Sequence, residues 1–140
     1  MQAGQVPDKA WRACEGGYIA EAMTDTRNIL VVEDEPLIAM MLEDFIDMMG
    51  HRIGAAVGSV SDALAEIEAQ SFDLAILDLN LGKETSWPVA DALQDRGIPF
   101  VLATGGNFQA PSERHAGART VTKPYTYENV QASIDELVGV

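Results

Sequence analysis

The sequence is poor in several kinds of residue, and each shortage excludes a class of protein. Its 140 residues contain one cysteine, Cys14, so no disulfide can form within the chain, which fits a reducing cytosol. Lys and Arg number 9 against 22 Asp and Glu, and the formal net charge of −13 disfavours direct binding to DNA, RNA or an anionic membrane. No apolar run approaches the roughly 18 residues of a spanning helix, and the N-terminus lacks a signal-peptide core. We therefore expect a cytoplasmic protein without membrane contact.

What the sequence does contain predicts one folded domain. Apolar residues make up 47% of the chain, which is enough for a sizeable core at this length. Residues 1–27 differ from the rest, because they have few periodic apolar residues and several glycines. We predict a flexible or loosely docked tail over 1–27 and a folded domain over 28–140, present as a monomer or weak dimer.

Strand-like and helix-like segments alternate from Asn28 onward. The strand-like segments are Ile29–Val32, Arg52–Val57, Leu74–Leu77, Phe100–Ala103 and Arg119–Thr122. The predicted helices run from Pro36 to a stop at Gly50, from a Ser59 cap through Gln70, over Pro88–Arg96 and from a Thr126 cap onward. Residues 79–86 are predicted to form a loop, and 104–118 leave room for a short helix only. Continuous apolar strands separated by amphipathic helices indicate a doubly wound parallel α/β sheet with helices on both faces.

Three of the predicted strands end in charged residues. Ile29–Val32 is followed by Glu33-Asp34-Glu35, Leu74–Leu77 by Asp78, and Arg119–Thr122 by Lys123-Pro124. Ligands of such sheets bind outside the carboxyl ends of the strands, so these charges are expected to form an acidic pocket with one lysine beside it. Hard carboxylate oxygens select Mg²⁺ or Mn²⁺, and the lysine suits a phosphoryl group.

Asp78 is the candidate nucleophile of this pocket, because a carboxylate can attack phosphorus and form an aspartyl phosphate. Lys123 supplies a point charge to phosphate oxygens, and Thr104 can donate its hydroxyl to the same group. Pro124 fixes the local chain and can hold a cis bond. Taken singly, these features also fit a solvated acidic turn at 33–35, a plain strand-end carboxylate, a surface lysine and a loop threonine.

Four segments taken together resemble the receiver domain of two-component response regulators. They are Val31–Pro36, Leu77–Leu81, Ala103–Gly105 and Lys123-Pro124, in family order and spacing over about residues 28–138. The resemblance implies a flavodoxin-like sheet of order 2-1-3-4-5. It also implies a phosphoacceptor that catalyses its own phosphorylation and dephosphorylation and is otherwise no enzyme. Its partners would be a histidine kinase or histidine phosphotransfer protein and a downstream protein, with no output domain after residue 138.

The resemblance also assigns roles within the pocket. Asp78 would be the phosphoacceptor, with Thr104 and Lys123 contacting the phosphoryl oxygens. The metal would be held directly by Asp34 and Asp78, through water by Glu33, and by the main-chain carbonyl of Asn80. Mg²⁺ is the expected ion, with Mn²⁺ as a substitute.

Several positions depart from the family pattern. Glu33 stands where Asp is frequent, Gly105 where a small residue such as Ala follows the threonine, and Thr120 where an aromatic residue is usual. Pro99–Gly105 resembles the Pro-Phe-x-Phe-Ala-Thr-Gly motif of an atypical subgroup from alphaproteobacteria, although Leu102 replaces one Phe. The aromatic residue expected after the glycine is absent, since Gly106 stands there and Phe108 is the nearest.

Two other functions remain as alternatives. A Mg²⁺-dependent phosphatase with an aspartyl nucleophile commonly needs a second acid two residues after the nucleophile, where this chain has Asn80. A receiver-like binding module without phosphorylation is disfavoured by the presence of Asp78 and Lys123. The histidines, His51 and His115, are predicted to occupy surface or turn positions, and Trp87 to serve packing or partner contact.

Overall fold

A computed structural model of the chain describes residues 26–105, 113–115 and 117–138. The predicted tail therefore lies outside the described residues except for its last two members, and so do Gly106 and Phe108. Those two tail residues contact the turn after the first helix. The Thr26 hydroxyl donates to the Gly50 carbonyl over 3.2 Å, and the Arg27 amide donates to His51 Nδ1 over 3.1 Å. The peptide segment just before the first strand is thus attached to the domain.

Within the described ranges, five parallel strands form one sheet and two short strands form a hairpin. The strands are β1 (Asn28–Val32), β2 (Arg52–Val57), β3 (Leu74–Asp78), β4 (Asn80–Leu81), β5 (Glu84–Thr85), β6 (Phe100–Thr104) and β7 (Arg119–Thr122). The sheet order is β2-β1-β3-β6-β7, with β4 and β5 paired separately and antiparallel. Leaving the hairpin out of the numbering gives the order 2-1-3-4-5, so the predicted flavodoxin-like fold is confirmed.

Helices connect the strands and cover both faces of the sheet. They are α1 (Pro36–Met48), α2 (Val60–Ala69), α3 (Trp87–Asp95) and α4 (Tyr127–Val138), with a 3₁₀ turn at Glu113–His115. One apolar cluster unites β1, β3 and β6 with α2 and α3, and a second unites the opposite face of the same strands with α1 and α4. Because both faces are covered, residues 74–78 of β3 are all buried, which explains the continuous apolar sequence of Leu74–Leu77.

The predicted helix caps are present where the sequence signals them. Ser59 Oγ accepts from the Asp62 amide over 3.2 Å, and Thr126 Oγ1 accepts from the Asn129 amide over 3.1 Å. Gly50 follows α1 with φ +85°, a left-handed conformation that glycine adopts without the Cβ penalty of other residues.

Two sequence-based predictions are wrong in this region. The loop expected over 79–86 contains the β4–β5 hairpin, in which Asn80 pairs with Thr85 across a turn at Gly82, whose φ is +63°. The third helix begins at Trp87, one residue earlier than expected, and ends at Asp95.

The prediction of a surface or turn position for His115 is right about the turn, since the residue ends the 3₁₀ turn Glu113–His115, but wrong about the surface, because His115 is buried. Only 2% of the residue is exposed, and its Nε2 lies 2.6 Å from Asp91 Oδ1 on α3. Its ring stacks on Trp87 with centroids 5.2 Å apart and meets Phe100 edge-on at 6.2 Å. The aromatic neighbours and the carboxylate together satisfy both the apolar and the polar part of the imidazole, which allows its burial.

Among the residues that the structure describes, no helix combines the length and the apolar character needed to cross a membrane. This agrees with the absence of long apolar runs in the sequence.

Candidate functional site

The carboxyl edge of the sheet brings the predicted acidic residues together. Glu33 and Asp34 follow β1, Asp78 ends β3, and these strands are direct neighbours in parallel register, with Val32 opposite Leu77. One carboxylate oxygen from each of the three acids lies within 4.8 Å of the others. Glu33 and Asp78 are each 4% exposed, whereas Asp34 is exposed. Two nearly buried carboxylates and one at the surface therefore share a single small volume.

Lys123, which follows the edge strand β7, places its ammonium against this acidic cluster. Its Nζ lies 2.8 Å from Asp78 Oδ2 and 3.4 Å from Glu33 Oε1. The lysine amide donates to the Thr104 carbonyl over 2.8 Å, which extends the β6–β7 pairing by one residue and directs the chain toward the site. The Lys123–Pro124 peptide bond is cis. Asp78 and Lys123 are 45 residues apart in sequence, so this contact is made by the tertiary fold.

The two other predicted site residues also lie at this edge. The Asn80 amide donates to Asp78 Oδ1 over 3.2 Å, so both oxygens of that carboxylate have a donor. Thr104 is buried at the end of β6, one residue beyond Ala103, which pairs with Asp78 across the sheet. Donors from two segments, the Asn80 amide and the Lys123 ammonium, thus bind the Asp78 carboxylate, and Thr104 lies at the neighbouring strand end.

Glu33 is the electrostatically strained member of the cluster. Its pKa is raised from 4.5 to about 7, chiefly by burial and also by the charge of Asp78, against the opposing effects of the Glu35 amide and the Lys123 charge. The Glu35 amide donates to Oε2 over 3.2 Å, but Oε1 is buried and has no hydrogen-bond partner within the described part of the chain. A buried oxygen beside two more carboxylates, with an ion pair to Lys123 at 3.4 Å but no hydrogen bond, fits a hard divalent cation or one of its waters.

The negative charges of the cluster also raise the pKa of Lys123. Burial lowers its pKa, but the hydrogen bond and the charge of Asp78, together with the charge of Glu33, outweigh that effect and leave the pKa above its usual value. The ammonium therefore stays charged at neutral pH and provides a fixed positive group beside the Asp78 carboxylate.

Tyr125 belongs to the site but was not among the predicted residues. It is 5% exposed, and its ring centroid lies 6.0 Å from Lys123 Nζ. Burial raises its pKa far above the usual range, and the charges of Glu33 and Asp78 add to this effect. The available sequence signal is an aromatic residue directly after Lys123-Pro124. By contrast, Thr120, at the position where an aromatic residue was expected, is exposed.

Known proteins resemble this chain both in sequence and in structure. The phyllosphere-induced regulator PhyR of Methylorubrum extorquens is 34% identical over 113 residues, which cover 77% of this chain and 42% of that protein. This chain thus spans less than half of that relative's length.

Two solved structures of SdrG match nearly their whole length. The solution structure from Sphingomonas melonis Fr1 is 45% identical, with a TM-score of 0.71, covering 83% of this chain and 99% of that one. The BeF3-activated conformation of SdrG, reported from Pseudomonas melonis Fr1, is 46% identical, with a TM-score of 0.68, covering 79% and 95%.

The family assignment follows from the sequence match over the sheet and its helices. Residues 29–135 match the response regulator receiver domain, and this range contains every predicted site residue. Receiver domains of two-component systems are phosphoacceptor signalling modules and not enzymes in the usual sense. The chain belongs to the response regulator receiver domain family.

Proposed function

We propose that this chain accepts a phosphoryl group on Asp78 from a histidine kinase or histidine phosphotransfer protein, in a Mg²⁺-dependent reaction. The observation that carries the proposal is the 2.8 Å contact between Lys123 Nζ and Asp78 Oδ2 inside the acidic cluster. A structural ion pair alone would not need two further acids beside it, because their repulsion lowers stability. An acid-rich site with one cation is instead suited to a metal and a phosphoryl group.

The proposed reaction transfers a phosphoryl group between two side chains. A carboxylate oxygen of Asp78 attacks phosphorus, the phosphorus–nitrogen bond of the donor's phosphohistidine breaks, and its electron pair returns to the imidazole nitrogen. Lys123 then pairs with the phosphoryl oxygens, and the Thr104 hydroxyl donates to one of them. The Asn80 amide orients Asp78 before the attack, since it already binds Oδ1.

The same residues account for the metal requirement. Asp34 and Asp78 would ligate Mg²⁺ directly, Glu33 would bind one of its waters through Oε1, and the Asn80 carbonyl would complete the protein ligands; Mn²⁺ would serve in its place. The bound cation neutralises charge that develops on the phosphoryl oxygens. Glu33 Oε1 supports this assignment, because it makes no hydrogen bond within the described residues and a water of the ion would donate one to it.

The signalling output is proposed to run through contacts with a downstream protein. The resemblance of Pro99–Gly105 to the Pro-Phe-x-Phe-Ala-Thr-Gly motif supports membership of that atypical subgroup. The 3₁₀ turn at Glu113–His115 is consistent with a short helical element in the β6–β7 connection. The BeF3-activated conformation known for SdrG supports a phosphorylation-dependent output, because that relative is 46% identical to this chain.

Phosphorylation of the purified protein tests the proposal. The wild type and Asp78→Asn are incubated with acetyl phosphate and Mg²⁺, and incorporation is followed by intact mass. Asp47→Asn, which changes an exposed acid on α1, is the matched control. We expect one phosphoryl group on the wild type and the control, none on Asp78→Asn, and none when Mg²⁺ is chelated. No incorporation into the wild type, or equal incorporation into Asp78→Asn, contradicts the proposal.

A further inference from the structure

Two buried polar atoms beside the site have no hydrogen-bond partner among the described residues: Glu33 Oε1 and the Tyr125 hydroxyl oxygen. The first is an acceptor, and the second is a donor as well as an acceptor. An unpaired buried hydroxyl is uncommon in folded proteins, because it loses its hydrogen bonds to water without replacement. Phenylalanine would fill the same volume without this loss. We therefore expect the Tyr125 hydroxyl to make a hydrogen bond in another state of the site.

The surroundings of Tyr125 connect it to the charged residues of the site. Its ring lies 6.0 Å from Lys123 Nζ, and the two carboxylates that hold Lys123 also act on its hydroxyl electrostatically. With its pKa raised by burial and by those charges, the hydroxyl keeps its proton and remains a donor. It is thus a neutral donor within the electrostatic reach of Glu33, whose Oε1 has an ion pair with Lys123 at 3.4 Å but no hydrogen bond among the described residues.

Lys123 is shared between two acids in the unphosphorylated site. Its Nζ is 2.8 Å from Asp78 Oδ2 and 3.4 Å from Glu33 Oε1. A phosphoryl group on Asp78 adds negative charge on the Asp78 side only, so the ammonium is drawn toward it and away from Glu33. Glu33 Oε1 then loses the ammonium that partly compensates it. A carboxylate oxygen has two lone pairs, so Oε1 can accept a further donor beside a water of Mg²⁺.

We propose that Tyr125 is a positioning residue whose hydroxyl donates to the Glu33 carboxylate once Lys123 has moved to the phosphoryl group. The inference rests on the proposed phosphoacceptor function and adds to it a residue outside the metal and phosphoryl ligands. Tyr125 directly precedes Thr126, which caps α4, and Tyr127 packs edge-on against Phe45 of α1 with centroids 5.7 Å apart. Tyr125 therefore adjoins the seam between α1 and α4, and we expect a change in its position to affect that seam.

Tyr125→Phe tests this inference, because it removes the hydroxyl and keeps the ring. Tyr127→Phe is the matched control two residues further on. Beryllofluoride, a phosphoryl mimic, is titrated with Mg²⁺ into each protein, and the melting temperature is measured without ligand. We expect about a tenfold weaker beryllofluoride affinity for Tyr125→Phe, which is about 1.4 kcal/mol and typical of one hydrogen bond to a charged group. Its unliganded melting temperature should equal or exceed that of the wild type, since an unpaired hydroxyl is removed.

A spectroscopic signal reports the hydrogen bond itself. In protein labelled with ¹³C at tyrosine Cζ, the Tyr125 resonance, assigned by its loss in Tyr125→Phe, should shift on adding beryllofluoride and Mg²⁺, and the Tyr127 resonance should shift less. Equal affinities of wild type and Tyr125→Phe, or an unmoved Tyr125 resonance, overturn this inference and leave the phosphoacceptor role standing. A lower unliganded melting temperature of Tyr125→Phe also overturns it, because the hydroxyl would then already be paired. A wild type that binds no beryllofluoride overturns the proposed function and this inference together.

Discussion

Replacing Glu33 by glutamine should stabilise the metal-free protein at alkaline pH. Glutamine keeps the size of the side chain and removes its charge from a site that also holds Asp78 and Asp34. The same substitution at the exposed Glu35 is the control, because it removes one charge from the adjacent turn without changing the buried cluster. The prediction runs against the usual experience that substituting a buried polar residue weakens a protein.

The magnitude follows from the pKa of Glu33. Burial raises it from 4.5 to about 7, so the folded chain binds this proton more tightly than the unfolded chain. Between these two pH values the folded state carries more protons, and the unfolding free energy must fall as the pH rises. One pKa unit is about 1.4 kcal/mol, so the complete loss above pH 7 amounts to about 3 kcal/mol. Glu33→Gln has no proton to lose and should retain that stability.

Urea denaturation with a chelator present measures the effect at pH 5 and at pH 8. At pH 8 the midpoint of Glu33→Gln should exceed that of the wild type by about 1 M or more, given the usual dependence of unfolding free energy on urea. At pH 5 the difference should shrink to about 1 kcal/mol or less, because Glu33 is still neutral in the folded chain and most of the linkage loss occurs above this pH. A variant that is less stable at pH 8, or a difference of the same size at both pH values, would refute the reasoning from burial and charge.

Substitutions at three further residues test the packing and the ion pair by the same urea assay at pH 8. Lys123→Met should lower the free energy of unfolding by about 2 kcal/mol, because it leaves buried carboxylates uncompensated, although solvent partly screens the quarter-exposed lysine. Lys83→Met, at the exposed hairpin turn, should leave the free energy of unfolding almost unchanged. Leu77→Ala should cost about 2–5 kcal/mol by opening a cavity in a fully buried strand, whereas Leu37→Ala, at a residue 80% exposed, should stay within about 0.5 kcal/mol. His115→Phe should cost about 1 kcal/mol through its lost hydrogen bond, and His115→Ala about 3 kcal/mol through lost packing as well.

Each of these three has an outcome that contradicts it. Equal stability of Lys123→Met and the wild type would mean that the ammonium gives no net compensation to the acids. A cost for Leu37→Ala as large as that for Leu77→Ala would show that the exposed residue is packed in solution. Identical effects of the two His115 variants would mean that the ring contacts carry no stabilisation.

The sequence was sufficient for the sheet and for the position of the acidic site. Strands buried on both faces must be apolar throughout, so Leu74–Leu77 was visible as a short run with Asp78 at its end. Parallel pairing brings all carboxyl ends to one edge, so charges that follow Val32, Leu77 and Thr122 had to converge there. The apolar periodicity of the sequence and the topology of a parallel sheet are therefore enough to predict where the pocket lies.

Features that depend on side-chain packing could not be predicted from the sequence in this way. The burial of His115 depends on Trp87 and on a carboxylate 24 residues away, and no local pattern encodes that meeting. The β4–β5 hairpin has only two residues in each strand, too few to show an alternating pattern. In the sequence, Tyr125 looks like any aromatic core residue. Its buried, unpaired hydroxyl, which the structure shows, distinguishes it.

The site draws its groups from four of the five strands of the sheet, all but β2. Asp78 is supplied by the central strand, Glu33 and Asp34 by the end of its neighbour on one side, and Lys123 by the end of the edge strand on the other side, 45 residues later. A chain that ends before β7, or has not yet docked it, lacks the ammonium beside Asp78. Under the proposed function, a newly synthesised copy would therefore become a competent phosphoacceptor only after β7 has docked.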